Sequence, residues 1–282
     1  MRYIFFGTPE ASKLVLERLV ADGSVPVAIV TNPDRPAGRA QQLTPPLVKQ
    51  FAIEKDLDAK ILQPEKVIDA AEELSALRPD MFIVAFYGKL IPARVLAIPH
   101  LGTLGVHPSL LPLYRGPSPV QSAILDAVPE TGVTVYRMDE KMDEGPIVAQ
   151  KKLLSYHKGE KDNLALWHEL AALGGTLAAR ALRDAAAGTL EATPQDHARA
   201  TYTKKFSTED AFIAESDLAA AKAGNDPARA QMIHQKILAF TPEPGAWTTE
   251  NGKRLKLLES AIANGQLILK KIQYEGKKPM KV

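Results

Sequence analysis

A chain of 282 residues, 45% hydrophobic and 24% charged with a mean hydropathy of −0.12, has a globular composition that excludes disorder, a coiled coil and a collagen-like repeat. Single cores stop growing at about 250–300 residues, so this length points to two modest domains. Net charge is +2, yet residues 252–282 carry eight Lys or Arg against two Glu, which suits either a solvated lysine-rich surface or contact with a polyanion. The absence of cysteine excludes a disulfide scaffold, a thiolate zinc site, an iron–sulfur cluster and a catalytic thiol, and it fits a reducing compartment, the cytoplasm. The first seven residues predict no signal peptide, and no apolar run approaches the roughly 18 residues of a membrane span.

In chain order, residues 3–6 read as a buried strand. Thr8-Pro9-Glu10 then opens a helix, with Thr8 as N-cap, Pro9 at the first helical position and Leu14, Leu16, Leu19 and Val20 supplying apolar content through Ala21. Residues 27–30 form the next strand, 46–54 and 67–77 helices, 81–85 a central strand after Pro79-Asp80, and 103–107 another. This alternation predicts an α/β fold, a Rossmann-like doubly wound sheet, mostly parallel. Strands at 132–138 and 146–150 flank an acidic loop at 139–145. Asp162 caps a long Ala- and Leu-rich helix to about Ala187, which Gly188 stops. Residues 189–206, with Pro194 and no period, read as a linker or an extended crossing segment. A helix at 228–239 follows, then Pro242, Pro244 and Gly245, then strand runs at 253–258 and 266–270, which suggest a small C-terminal β-barrel of OB-like form. The expected domains are thus 1–188 and 207–282.

The first βα turn, Phe6-Gly7-Thr8-Pro9-Glu10, sits where a dinucleotide fold carries a glycine-rich loop. One glycine and a proline give a pyrophosphate no close backbone approach, which argues against a nicotinamide cofactor. The stretch 105–121 is more informative. His107 ends a predicted parallel strand, and in open α/β sheets ligands bind at the carboxyl ends of strands. Pro108 keeps His107 extended, and Pro112, Pro117 and Pro119 stiffen the following segment. Ser118 to Gln121 has the form of a capping box with Pro119 at the first helical position. Asp139, Glu140, Asp143 and Glu144 crowd one short loop with Lys141 and Gly145, without the spacing of a calcium loop. An acidic turn is often only a turn; a functional one needs a carboxylate facing His107, because such a pairing orients the imidazole for acid–base or electrostatic work in acyl transfer.

Several of these stretches resemble a known family. The run 6–10, Asp34 to Arg39, Ala85 to Pro92, the 107–121 loop, and Thr131 to Thr134 with Met138 to Gly145 are similar to successive motifs of the methionyl-tRNA formyltransferase family. The likeness continues through Phe240 to Thr248, Gly252 to Lys256 and Gly276 to Met280. His107 to Pro112 and the Asp143 loop mark the wider formyltetrahydrofolate-dependent transferases, whereas Asp34 to Arg39 and the tail narrow the resemblance to the tRNA enzymes. It implies transfer of formyl from 10-formyltetrahydrofolate to methionine on initiator methionyl-tRNA in translation initiation, with no metal, no membrane and a monomeric chain. The implied catalytic trio is Asn, His and Asp; His107 and Asp143 match two of them, and Gly105 stands at the Asn position. The implied folate contacts are Ser109, Leu110, Leu111 and Pro112, with Phe86, Tyr87, Gly88, Leu90, Asp139 and Met142 walling the pterin. Arg39, Lys253 and Arg254 are the expected tRNA contacts. Two alternatives stand beside this one: the same chemistry on a nucleotide-linked amino sugar, and a non-catalytic tRNA- or folate-binding homologue.

Overall fold

The computed structural model describes residues 1–37 and 41–282. Along the chain come β1 (Tyr3–Phe6), α1 (Glu10–Ala21), β2 (Ala28–Val30), a small hairpin of β3 (Arg35–Ala37) and β4 (Gln42–Thr44), α2 (Leu47–Glu54) and β5 (Lys60–Leu62). A 3-10 turn, Val67–Ala70, leads into α3 (Ala71–Ala76), then β6 (Met81–Ala85), α4 (Ala93–Leu96), β7 (Thr103–His107), α5 (Pro119–Leu125), β8 (Gly132–Arg137), β9 (Ile147–Lys152) and α6 (Asn163–Ala186). After two further 3-10 turns follow α7 (Glu215–Ala223), α8 (Pro227–Phe240), β10 (Ala246–Glu250), β11 (Lys253–Ala263), β12 (Gln266–Tyr274) and β13 (Met280–Lys281). Contacts divide these into two units. The first holds Met1–Arg115, Gly132–Leu153 and His168–Thr201; the second holds Gly116–Thr131, Leu154–Trp167 and Tyr202–Val282.

The first unit is built on a seven-stranded sheet in the order β5-β2-β1-β6-β7-β8-β9. Its first five strands are parallel, while β8 and β9 run antiparallel to their neighbours. This is the expected doubly wound, mostly parallel sheet, with the order reversing between β1 and β6. Both faces of the central strands are buried, so they read as unbroken apolar runs instead of alternating ones. Ile4, Phe6, Phe82 and Val84 point into one layer with Val67, Leu74, Val95 and Leu96. Tyr3, Phe5, Met81 and Ile83, on the other face, are at most 2% exposed. Helix α6 comes close on that second face because Gly174 lacks a side chain; a Cβ there would lie 2.6 Å from Val106 Cγ1. Each large side chain buried in this way contributes about 1.5–3 kcal/mol.

Three local expectations change. Pro9, not Thr8, is the N-cap of α1, and it makes no side-chain cap bond; the Thr8 hydroxyl instead accepts from the backbone N–H of Asn32 at 3.2 Å, tying the turn to the end of β2. Residues 67–77 split into a 3-10 turn and a short helix. Ser118 does precede a helix with Pro119 in its first turn, but its side chain makes no cap bond. Asp162 caps α6 as expected, accepting from Ala165 N at 2.8 Å.

Of the segment expected as a linker or an extended crossing segment, residues 193–201 are held by bonds to the rest of the first unit. Thr193 bridges to Ile147, Gln195 is buried, and the Thr201 carbonyl accepts from Arg115 N at 2.9 Å. Those bonds are made to residues far away in sequence, so the segment shows no local period. In the second unit, β10-β11-β12-β13 form an antiparallel sheet whose ladder does not close from β13 back to β10, so the expected barrel is an open four-stranded sheet. Its inward side chains, among them Leu255, Leu257, Leu267 and Ile272, are covered along with Ile233, Ile237 and Phe240 of α8. Helix α7 escaped sequence reading because only Leu218 and Ala221 of its nine residues are buried. No described helix is long and apolar enough to cross a membrane.

Candidate active site

Strand pleating places Gly105 and His107 on one face of β7, two residues apart. Gly105 pairs with Val84 of β6 on one side and with Tyr136 of β8 on the other. His107 is 6% exposed. Its Nε2 lies 2.9 Å from the Tyr114 carbonyl oxygen, and its Nδ1 lies 3.6 Å from Asp143 Oδ2. Both ring nitrogens therefore face oxygen atoms. The facing carboxylate anticipated from the acidic loop is Asp143.

The loop between β8 and β9 holds that carboxylate through bonds to distant residues. Asp143 has a φ of 56°, a left-handed conformation that Asp tolerates better than most residues. The Tyr136 hydroxyl donates to Asp143 Oδ1 at 2.7 Å. Gln195 Nε2 donates to the carbonyls of Asp143 and Gly145 at 2.9 and 2.7 Å. Arg115, fully buried, donates in turn to Gln195 Oε1 from Nε at 3.2 Å and Nη2 at 2.8 Å. It also contacts His197 Nδ1 at 3.1 Å and the Glu144 carboxylate at 3.5 Å. Tyr136, Arg115 and Gln195 were not anticipated from the sequence. The available signal was a single arginine inside a stretch rich in proline and leucine, where a buried charge needs partners.

The residues expected to meet a folate divide into two groups. Ser109, Leu111 and Tyr87 are buried. Ser109 Oγ donates to the Leu113 carbonyl at 2.6 Å, and Leu111 N donates to Thr134 Oγ1 at 3.1 Å, so both brace the loop that follows β7. Tyr87 is buried in the core with its ring edge-on to Phe6 at 5.6 Å, and burial pushes its phenol up to about 12. The other group reaches the surface: Gly88, Asp139 and Met142 are exposed, Leu90 is 86% exposed, and Phe86, Leu110 and Pro112 are half-buried. An open groove of about 410 Å³, lined by Asp139, Glu140, Lys141, Glu144, Gln195 and His197 among others, adjoins the acidic loop without including His107 or Asp143. The described residues contain no cluster of three His, Cys, Asp or Glu that could hold a metal ion.

In the second unit Lys253 is exposed at the start of β11. Arg254 stacks its guanidinium over the Trp247 indole at 4.4 Å, and Trp247 is itself fixed by donating to the Thr208 carbonyl at 2.9 Å. Arg39 lies outside the described residues.

Residues 1–170 match the sequence model of the formyl transferase family, and residues 227–267 match that of the formyl transferase C-terminal domain. The chain belongs to the formyl transferase family. Within that family it is 42% identical over 266 residues to the methionyl-tRNA formyltransferase of Chloroflexus aurantiacus, an overlap of 94% of this chain and 81% of that one. A solved methionyl-tRNA formyltransferase from Clostridium thermocellum has a TM-score of 0.60 at 16% identity, covering 97% of this chain and 99% of its own. An N-formyltransferase from Helicobacter canadensis, solved with folinic acid and dTDP-3-aminofucose, scores 0.66 at 17% identity and covers 94% and 88%. Those two likenesses establish a shared fold.

Proposed function

We propose that this chain transfers the formyl group of 10-formyltetrahydrofolate to the α-amino group of methionine on initiator methionyl-tRNA, acting in the cytoplasm as a monomer. The observation that carries this reading is the 42% identity to a methionyl-tRNA formyltransferase over 94% of the chain, an overlap too long to leave out the basic second unit.

The folate would supply a formyl carbon activated by its leaving nitrogen. The side chains uncovered around the site suit such a ligand: Leu90 and Met142 are large apolar groups left 86% and 64% exposed, surface that a flat pterin or its tail could cover. The chain's own part in the reaction falls to His107 and Asp143. An attacking amine must lose a proton while the formyl oxygen gains negative charge. His107 holds or moves that proton, and Asp143 fixes the ring and balances its charge. Burial of His107 and of its neighbour Tyr136 keeps water from the pair and strengthens these electrostatic effects. Lys253 and Arg254, with Arg39, are the proposed phosphate contacts for the tRNA.

The test is a mass-spectrometric assay with 10-formyltetrahydrofolate in which methionyl-tRNA competes with UDP- and dTDP-linked amino sugars. Formylmethionyl-tRNA as the dominant product supports the reading. A formylated sugar would replace it with the chemistry of the Helicobacter canadensis protein, and folate binding without any transfer would leave a binding module.

A further inference from the structure

Positions 105 and 136 face each other across β7 and β8, and the space between them holds one side chain only. A Cβ at 105 would lie 2.6 Å from Cε1 and 2.8 Å from Cζ of the Tyr136 ring, and 3.0 Å from Met138 Cγ. Glycine at 105 is thus the condition for the ring to lie where it does. That ring stands edge-on to the His107 imidazole, 6.5 Å between centroids at 89°, and its hydroxyl ends 2.7 Å from Asp143 Oδ1. The second carboxylate oxygen is the one at His107, 3.6 Å from Nδ1.

We infer that Tyr136 is a positioning residue of this site: from the space left open by Gly105 it holds one oxygen of Asp143 and so turns the other toward His107. The inference rests on the formyl-transfer reading for its kinetic test. A carboxylate on a loop is free to rotate about its terminal bond, and a donor on one oxygen removes that freedom. The phenol suits the task because burial first, and the Asp143 charge second, push its pKa well above the ordinary value, so it stays protonated and donates. Nothing in this geometry frees the hydroxyl for the substrate. An asparagine at 105, the residue that the family resemblance implies, cannot share the site with this ring, so Gly105 and Tyr136 form one device.

Tyr136→Phe keeps the ring and removes the bond. Misplacing a reacting group by about 1 Å costs up to about 10²-fold, so kcat for formyl transfer is expected to fall about 10- to 100-fold. KM for both substrates should stay within about twofold, a split between kcat and KM that a purely structural role would not produce, while the unfolding midpoint falls only by what one hydrogen bond to a carboxylate is worth. In an Asp143→Ala background, where no side-chain acceptor is left, the same change should cost nothing further, because its effect passes through the carboxylate. Gly105→Asn should lower both stability and activity, and Gly105→Asn with Tyr136→Ala should recover the stability. Ring resonances of His107, followed by NMR, should move in Tyr136→Phe. Unchanged kcat together with unmoved His107 resonances would overturn the inference, as would equal losses in the wild-type and Asp143→Ala backgrounds. Wild type inert on every acceptor would count against formyl transfer alone; the resonances of His107 then still decide the role of Tyr136.

Discussion

Arg115 is the group on which the acidic loop depends most, and replacing it by methionine measures that dependence. The substitution keeps most of the apolar stem and removes every donor. Gln195 Oε1, which takes two N–H groups of Arg115, is then left buried without them, a loss of about 1–3 kcal/mol. The Glu144 carboxylate, whose side chain is 22% exposed, loses a buried counter-ion; water reaches it in part, so the penalty lies below the 3–5 kcal/mol of a fully buried broken pair. A total of about 3 kcal/mol is expected, which lowers the midpoint by about 6–12 °C for a unit of this size. With the Gln195 amide no longer held under the carbonyls of Asp143 and Gly145, the loop loosens and kcat for formyl transfer should drop by about tenfold or more. The assays are thermal unfolding by circular dichroism and the mass-spectrometric transfer assay. Adding Gln195→Leu should not rescue the variant: it removes the orphaned acceptor but leaves the carbonyls of Asp143 and Gly145 without their donor, so stability and kcat both stay low. A methionine variant with the wild-type midpoint and wild-type kcat would refute the idea that Arg115 braces the loop.

Replacing His107 by alanine should lower kcat by about 10²–10⁴, the usual worth of a positioned acid or base, while folate affinity measured by fluorescence titration falls much less; near-normal turnover would remove His107 from the chemistry. KM for tRNA should rise steeply with salt while KM for folate barely moves, and charge reversal at Arg39, Lys253 and Arg254 should flatten that slope. A slope unaltered by all three reversals would place the tRNA elsewhere. Acid should destabilise the second unit through His234, whose pKa burial pushes below 6.5, with the Lys270 charge adding and the Gly159 carbonyl opposing. The folded ring is neutral, its Nε2 donating to the Gly159 carbonyl at 3.0 Å and its Nδ1 facing the Ser260 hydroxyl at 2.8 Å. As pH falls below about 6.5 the unfolded chain takes up a proton that the folded ring refuses, so stability present above that value is lost. The midpoint of this unit should fall between pH 7.5 and 5.5, and it should fall less in His234→Gln; equal falls would assign the acid sensitivity to other groups.

The central strands were legible because their environment leaves a local trace. Residues 81–85 and 103–107 are buried along their whole length, and burial on both faces demands consecutive apolar residues; Pro79-Asp80 marks where the first begins and Pro108 where the second ends. His107 was legible for a similar reason: a strand end, a following proline and a rigid loop lie next to one another in the chain. The pairing of His107 with Asp143 was a conditional expectation, since the acidic loop offered four carboxylates and only the fold of that loop selects one.

The remainder of the site was decided by tertiary structure alone. Gly105 reads in sequence as an absence, and its meaning comes from Tyr136, thirty-one positions later and opposite it only through the register of β7 with β8. Arg115 and Gln195 meet across eighty positions, and Gln195 lies in a stretch whose lack of period left it open between a linker and an extended crossing segment. Tyr87 packs its ring edge-on against Phe6, eighty-one positions earlier, a contact that only the pairing of distant strands creates. Local propensity and periodicity record what each residue does with its near neighbours and with water. They carry no record of which distant side chain completes a hydrogen bond, and in this site those long-range bonds determine where the carboxylate points.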